Sequence, residues 1–197
     1  MCNQFTLPNY AQIRQYLQED LALPLSDYRE DFASKDIFPG QQAPVLLYDQ
    51  DKLQLVDKKW GYPSPVDKKL LFNARIERFY ESKPSIWDDS FKRQRCLIVC
   101  QSFFEYGSDR IKKANGRYYR QQYRFSNKEQ PLTLLAGIYE QDHFSMVTTK
   151  PNSTMASIHQ RMPLVVEPSE LRRWLFQNFT ALIDRSQIEL DVSKVEK

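Results

Sequence analysis

Cysteine and histidine are scarce in this chain of 197 residues, which holds three Cys and two His. Cys2, Cys96 and Cys100 are an odd number of thiols, which argues against a disulfide framework and for a reducing compartment; a cytoplasmic location is expected. His143 and His159 stand apart, with no Cys pairs at zinc spacing beside them, so no metal site and no cofactor are expected. No run approaches the roughly 18 apolar residues of a membrane-spanning helix. Residues 1–20 lack the apolar segment of a secretory signal. No membrane partner is expected. Neither sign of charge dominates: 28 Lys and Arg against 25 Asp and Glu leave a net +3. That balance does not by itself select nucleic acid as a partner. Internal repeats, low-complexity segments and linkers are also absent, so one domain over 2–197 is expected, with a monomer as the default.

What is present is apolar and aromatic. The hydrophobic share is 41% and the aromatic share 13%, enough for a sizeable core at this length. Ile13, Tyr16 and Leu17 mark one face of a helix over 10–21. Apolar runs at 45–48 and 52–56 flank Asp49-Gln50-Asp51, a hairpin signal. Residues 60–63 read as a loop and 76–80 as a short helix. A β-rich run covers 95–106, broken near Gln101-Ser102, with Cys96 and Cys100 on one face as small core residues. Further strands are expected at 117–125, 132–139, 144–149, 163–166 and 188–192. A helical turn is expected at 152–158 and a helix at 168–179, with Pro168 near its start. Many short strands and few helices indicate an α+β domain. It is mainly antiparallel and barrel-like, with peripheral helices.

Cys2 carries unusual chemistry if it becomes the first residue. Initiator methionine is usually removed ahead of a small residue, and Cys is small. A terminal Cys holds an amine, with an ordinary pKa near ~8, beside a thiol. Together they condense with an aldehyde and close a thiazolidine ring. Taken alone, Cys at position two is more readily a coincidence. The chemistry needs a carboxylate, an imidazole and an amide around it.

Four segments supply those groups in order. They are Met1-Cys2-Asn3-Gln4-Phe5, Asn73-Ala74-Arg75, the run from Arg95 to Tyr106 with Phe103-Phe104-Glu105 near its end, and Thr148-Thr149 followed by Ile158-His159-Gln160-Arg161-Met162-Pro163. They resemble the M-C-G-R-F start, the N-A-R triplet, the R-C-L-I-P-A-x-G-F/Y-Y/F-E-W run and the T-T…I-H-x-R-M-P signature of the SRAP family, the SOS-response-associated peptidases or abasic-site-processing proteins. Softer matches are Asp36-Ile37-Phe38-Pro39-Gly40-Gln41, Trp60-Gly61 and the segment from Ala136 to Glu140. The ordered set runs from residue 1 to about 176.

The resemblance implies a β-rich SRAP fold with a positively charged cleft. It implies covalent capture of abasic sites in single-stranded DNA through Cys2, and self-removal of whatever precedes it. The implied catalytic set is Cys2, Asn73, Glu105 and His159. Arg75 and Arg161 are the expected phosphate contacts, Trp60 a wedge or stacking platform, and Pro39 is grouped with them. In this scheme His159 protonates the sugar ring oxygen, Glu105 shuttles protons at the amine, and Asn73 positions it. Each residue also has a plain structural reading. Asn73 suits a helix N-cap with Glu77 following, Glu105 a surface carboxylate, His159 a partly buried histidine, Trp60 core packing, and the two arginines an ion-pair face. The stretch 110–124 reads as a solvated hairpin or an extension of the basic surface. Asn3 and Gln4 replace Gly and Arg, Gln101 and Ser102 replace a small residue and Gly, and Tyr106 replaces Trp. The family's final segment looks shortened. Competing functions are a Cys peptidase acting on other proteins and a noncatalytic single-strand-binding module.

Overall fold

The computed structural model describes residues 2–28, 31–49, 51–112 and 115–196. The chain opens with strand β1 (Phe5–Leu7). Asn9 then caps α1 (Tyr10–Arg14): its side chain accepts the Gln12 N–H, and Gln12 returns the contact to the Asn9 backbone. The expected helix over 10–21 is present, but its second half, Gln15–Asp20, is wound as a π-helix. Ile13, Tyr16 and Leu17 are buried, as their spacing requires.

Strand β2 (Lys35–Ile37) precedes the hairpin of β3 (Gln42–Asp49) and β4 (Lys52–Trp60), where Asp49 faces Lys52. Strand β4 runs through Trp60, so the expected loop at 60–63 starts one residue later. Gly61 makes that turn at φ 111, where a Cβ would sit 2.9 Å from Leu70 Cβ. Short strands β5 (Tyr62–Pro63) and β6 (Leu70–Leu71) pair with each other. Strand β7 (Asn73–Arg75) follows, then a 3-10 turn at Ile76–Tyr80 and helix α2 (Asp88–Arg93), which local sequence pattern does not foretell.

The β-rich run is divided into β8 (Arg95–Cys100) and β9 (Ser102–Lys112), broken at Gln101 as expected. After β10 (Tyr118–Asn127), β11 (Thr133–Glu140) and β12 (His143–Thr149) come α3 (Ser153–Ala156) and β13 (Met162–Pro163). The helix expected at 168–179 is a 3-10 turn, Pro168–Glu170, continued by α4 (Leu171–Phe176). Strand β14 (Leu190–Lys194) is last.

Strand pairing closes a ring. β11 pairs with β8, β8 with β3, β3 with β4, β4 with β12, and β12 returns to β11. Only the β4–β12 contact in this ring is parallel. A second antiparallel sheet, ordered β14-β10-β9-β1-β2, packs beside the barrel. The α+β, mainly antiparallel expectation holds, and the barrel is a real closure rather than a likeness.

The two units meet in an aromatic core. The Phe5 ring lies 5.1 Å from that of Trp60, and Trp60 stacks on Phe144 at an interplanar angle of 8°. Cys96 and Cys100 are fully buried in this core region.

This topology places the site. Strand β12 is flanked at its C-terminal end by β7 on one side, with Thr148 beside Arg75, and by β13 on the other, with Thr149 opposite Met162. Asn73 and the 159–161 turn are therefore hung from the same strand. Across from them, Phe5 pairs with Phe103 and the Phe104 N–H donates to the Gln4 carbonyl at 3.0 Å. That ladder carries the start of the chain onto β9 beside Glu105. Among the described residues no helix is long and apolar enough to cross a membrane.

Candidate active site

Cys2 is fully buried, and its thiol donates to the Gln4 carbonyl at 3.4 Å. Burial, and the Glu105 carboxyl second, push the thiol up to about 12, so it keeps its proton at neutral pH. The Asn73 side chain donates from Nδ2 to the Cys2 carbonyl at 2.8 Å. Asn73 Oδ1 is buried and has no hydrogen-bond partner among the described residues. Asn73 lies within a strand, and Arg75 occupies the N-cap of the following turn without a side-chain cap. The capping alternative for Asn73 is thus excluded, because its amide is committed to residue 2.

Glu105 is only 3% exposed, which excludes the surface-carboxylate reading. Its desolvation raises the carboxyl to about 7, opposed in part by a hydrogen bond from the Tyr106 backbone. His159 Nδ1 stands 3.8 Å from Glu105 Oε1. The same nitrogen lies 3.1 Å from the Arg161 N–H and 2.8 Å from the Arg161 carbonyl. One residue thus offers a donor to neutral imidazole and an acceptor to imidazolium. Desolvation holds His159 below its ordinary value, and the Arg161 guanidinium adds to that, while the Arg161 carbonyl opposes it. The two neighbours are displaced in opposite directions, the pattern of an acid and base working as a pair. Cys2, Asn73, Glu105 and His159 are brought together from four separate segments.

The expected DNA-contact residues separate. Arg75 is exposed. It lines a groove of about 500 Å³ together with Tyr106, Ser108, Arg120, His159 and Arg161. Arg161 is mostly turned inward. Its guanidinium grips Glu77 through two bonds of 2.6 and 2.8 Å and donates to the Thr148 carbonyl at 2.7 Å. Arg161 is therefore chiefly a strut for the 159–161 turn, because both terminal nitrogens of its guanidinium are engaged by the protein. Trp60 is a correction. It is fully buried, its Nε1 donates to the Phe72 carbonyl at 2.8 Å, and no face is left for a base. Pro39 sits half-buried in a turn before Gly40 and away from the groove's lining.

Arg120 falls in the 110–124 stretch that the sequence offers as an extension of the basic surface, whereas two contributors are not evident as site residues from the sequence: Glu77 and the Thr148 carbonyl. Glu77 falls two residues beyond Arg75 and carries only a capping role in the sequence. Nothing linear connects it to a residue 84 positions away.

The model of the family described as SOS response associated peptidase (SRAP) matches residues 1–196. The chain belongs to the SRAP family. It is 28% identical over 190 residues to the abasic site processing protein YoqW of Bacillus subtilis, covering 89% of this chain and 80% of the relative. Identity to the abasic site processing protein YedK of Escherichia coli is 27% over 192 residues, covering 91% and 82%. Among solved structures, a phage-related protein from Bordetella bronchiseptica superposes with a TM-score of 0.70. It has 18% identity and covers 100% of this chain and 95% of that one. A protein from Bacteroides thetaiotaomicron superposes with a TM-score of 0.69 at 20% identity, covering 99% and 92%. Both share this SRAP fold.

Proposed function

We propose that this SRAP protein captures abasic sites in single-stranded DNA through a thiazolidine at Cys2, once the peptide bond preceding Cys2 is cut. The observation that carries the reading is the convergence of the Asn73 amide, the Glu105 carboxyl and the Cys2 backbone and thiol beside His159 and a basic groove. The names of the relatives support the substrate. Removal of the preceding residue by the chain itself belongs to the same proposal; Met1 lies outside the described residues.

The opened sugar presents an aldehyde at C1′. Asn73 fixes residue 2 through its carbonyl, and its unpartnered Oδ1 is an acceptor for the freed amine or a sugar hydroxyl. Protonated Glu105 suits the donor role toward the sugar oxygen, and neutral His159 suits the acceptor role. This exchanges the roles that the sequence alone suggests for the two. The amine attacks C1′, the carbinolamine loses water, and a C=N bond results. The thiol then adds across it, sulfur to carbon and proton to nitrogen. The sum is aldehyde plus aminothiol giving thiazolidine plus water, with no oxidant or cofactor in the balance. A thiol that still holds its proton fits that last step. Closing the ring removes the iminium that promotes β-elimination of the 3′ phosphate, so the strand stays intact.

A Cys peptidase acting on other proteins fits less well. Such nucleophiles are activated by a depressed thiol pKa and partial exposure, whereas Cys2 is buried and its pKa is raised. Intact-mass spectrometry after incubation with an abasic oligonucleotide tests the proposal. The expected species is the chain beginning at Cys2, plus the oligonucleotide, minus one water. Processed protein that binds the oligonucleotide without any covalent mass increase overturns it.

A further inference from the structure

Strands β9 and β10 pair from Phe103–Phe125 out to Lys112–Tyr118. Strand β1 covers β9 only at Ser102 and Phe103, and β14 covers β10 only from Tyr123 onward. Val195 still donates its N–H to the Gln122 carbonyl opposite Tyr106. Past Tyr106 the pair has no further strand partner among the described residues and forms a two-stranded arm. It begins with a register shift between Arg120 and Gln122. On this arm Arg110 stands directly opposite Arg120, and Lys112 opposite Tyr118. Opposed residues share a face, and so do residues two apart on a strand. One face thus carries Arg110, Lys112, Tyr118 and Arg120, all exposed.

Among the described residues none of these three cations is in an ion pair. Asp109 is the single acid between positions 106 and 125, where the sequence has Arg110, Lys112, Lys113, Arg117, Arg120 and Arg124. Like charges directly opposed across a strand pair destabilise it, and a two-stranded hairpin has little stability to spare. An anion lying over this face relieves the repulsion. The face is also continuous with the groove, because Arg120, Tyr106 and Ser108 line it together with His159.

We infer that the β9–β10 arm is a second anchoring surface, holding the phosphate backbone of single-stranded DNA as it leaves the His159 groove. The six residues from Gly107 to Lys112 give the arm a reach of roughly 20 Å, which extends the contact beyond the lesion to flanking nucleotides. Tyr118, 62% exposed, supplies a ring on which a flanking base stacks. The inference rests on the proposed reading of the groove as a DNA site.

The test is the double variant Arg110→Gln, Lys112→Gln, compared with the wild-type chain. Equilibrium binding to an unmodified single strand is measured across a salt series, and covalent yield with an abasic oligonucleotide is measured separately. Losing two phosphate contacts should flatten the slope of log K against log salt by about 1.4, at ~0.7 per contact on a single strand. Covalent yield at saturating DNA should be unchanged, because neither residue touches Cys2, Asn73, Glu105 or His159. The difference in salt slope should vanish when the unmodified strand is shortened to the few nucleotides that fill the His159 groove alone. An unchanged salt slope in a variant of unchanged melting temperature overturns the arm and shows a solvated face. If the wild type forms no adduct but the slopes still differ, the crosslinking proposal fails and the arm stands.

Discussion

A buried carboxyl with a raised pKa has an energetic signature separable from its chemistry. In the folded chain Glu105 titrates near 7, against an ordinary 4.5. The folded state therefore holds a proton that the unfolded state gives up between those values. Stability from this group is greatest below pH 4.5 and declines as pH rises to about 7. Glu105→Gln keeps the shape and removes the titration. It should raise stability at pH 8 by on the order of 1–3 kcal/mol relative to wild type, because each pH unit separating the two values is worth about 1.4 kcal/mol. The same change should abolish efficient adduct formation. Thermal melts at pH 5 and pH 8 check the first half: the gain should be confined to the higher pH. Cys2→Ser isolates the other half of the nucleophile. It keeps the amine and removes the thiol, so the imine should form and be trappable by borohydride, but the adduct left untreated should hydrolyse. A stable untreated adduct from the serine variant would exclude a thiazolidine.

At the scale of elements, the turn between α3 and β13 holds His159, the proposed general base. Its hold comes from Arg161, braced on Glu77 in the 3-10 turn after β7 and on Thr148 in β12. Arg161 backbone atoms in turn fix the His159 ring. Glu77→Ala leaves a mostly buried guanidinium without its carboxylate, at a cost of roughly 1–3 kcal/mol. The expected result is a lowered melting temperature together with a displaced pH profile of adduct formation, and Glu77→Asp should restore part of both. A merely structural role would lower the melting temperature and leave the pH profile in place. Element boundaries also show the limit of linear reading. The break at Gln101 and the hairpin before Lys52 are visible in turn chemistry and alternation. The π-winding of Gln15–Asp20 and helix α2 are not, since neither differs in local pattern from ordinary helix or loop.

For the whole molecule, the barrel and the second sheet share one aromatic junction at Phe5, Trp60 and Phe144. Phe5 lies three residues from Cys2, so packing at this junction also anchors the segment that carries Cys2, the proposed nucleophile. Trp60→Ala should cost about 3–5 kcal/mol, typical of truncating a buried Trp, and should appear as global destabilisation in denaturant melts. Trp60→Phe, which keeps most of the packing, should leave DNA affinity near wild type, as it would not if the indole stacked on a base.

Local sequence sets which chemistry is available here. Cys2, Asn73, Glu105 and His159 are legible because each sits in a short motif, and the order of the motifs names the family. Strand content is legible because alternation and β-branched runs are local. Folding sorts the carboxylates and cations that act from those that brace. Burial, not residue type, raises Glu105 and lowers His159. Ring closure hides Trp60, and pairing with Glu77 ties up the Arg161 guanidinium at the wall of the groove that Arg75 and Arg120 also line. Desolvation and ion pairing are properties of neighbours distant in sequence, so no spacing along the chain encodes them.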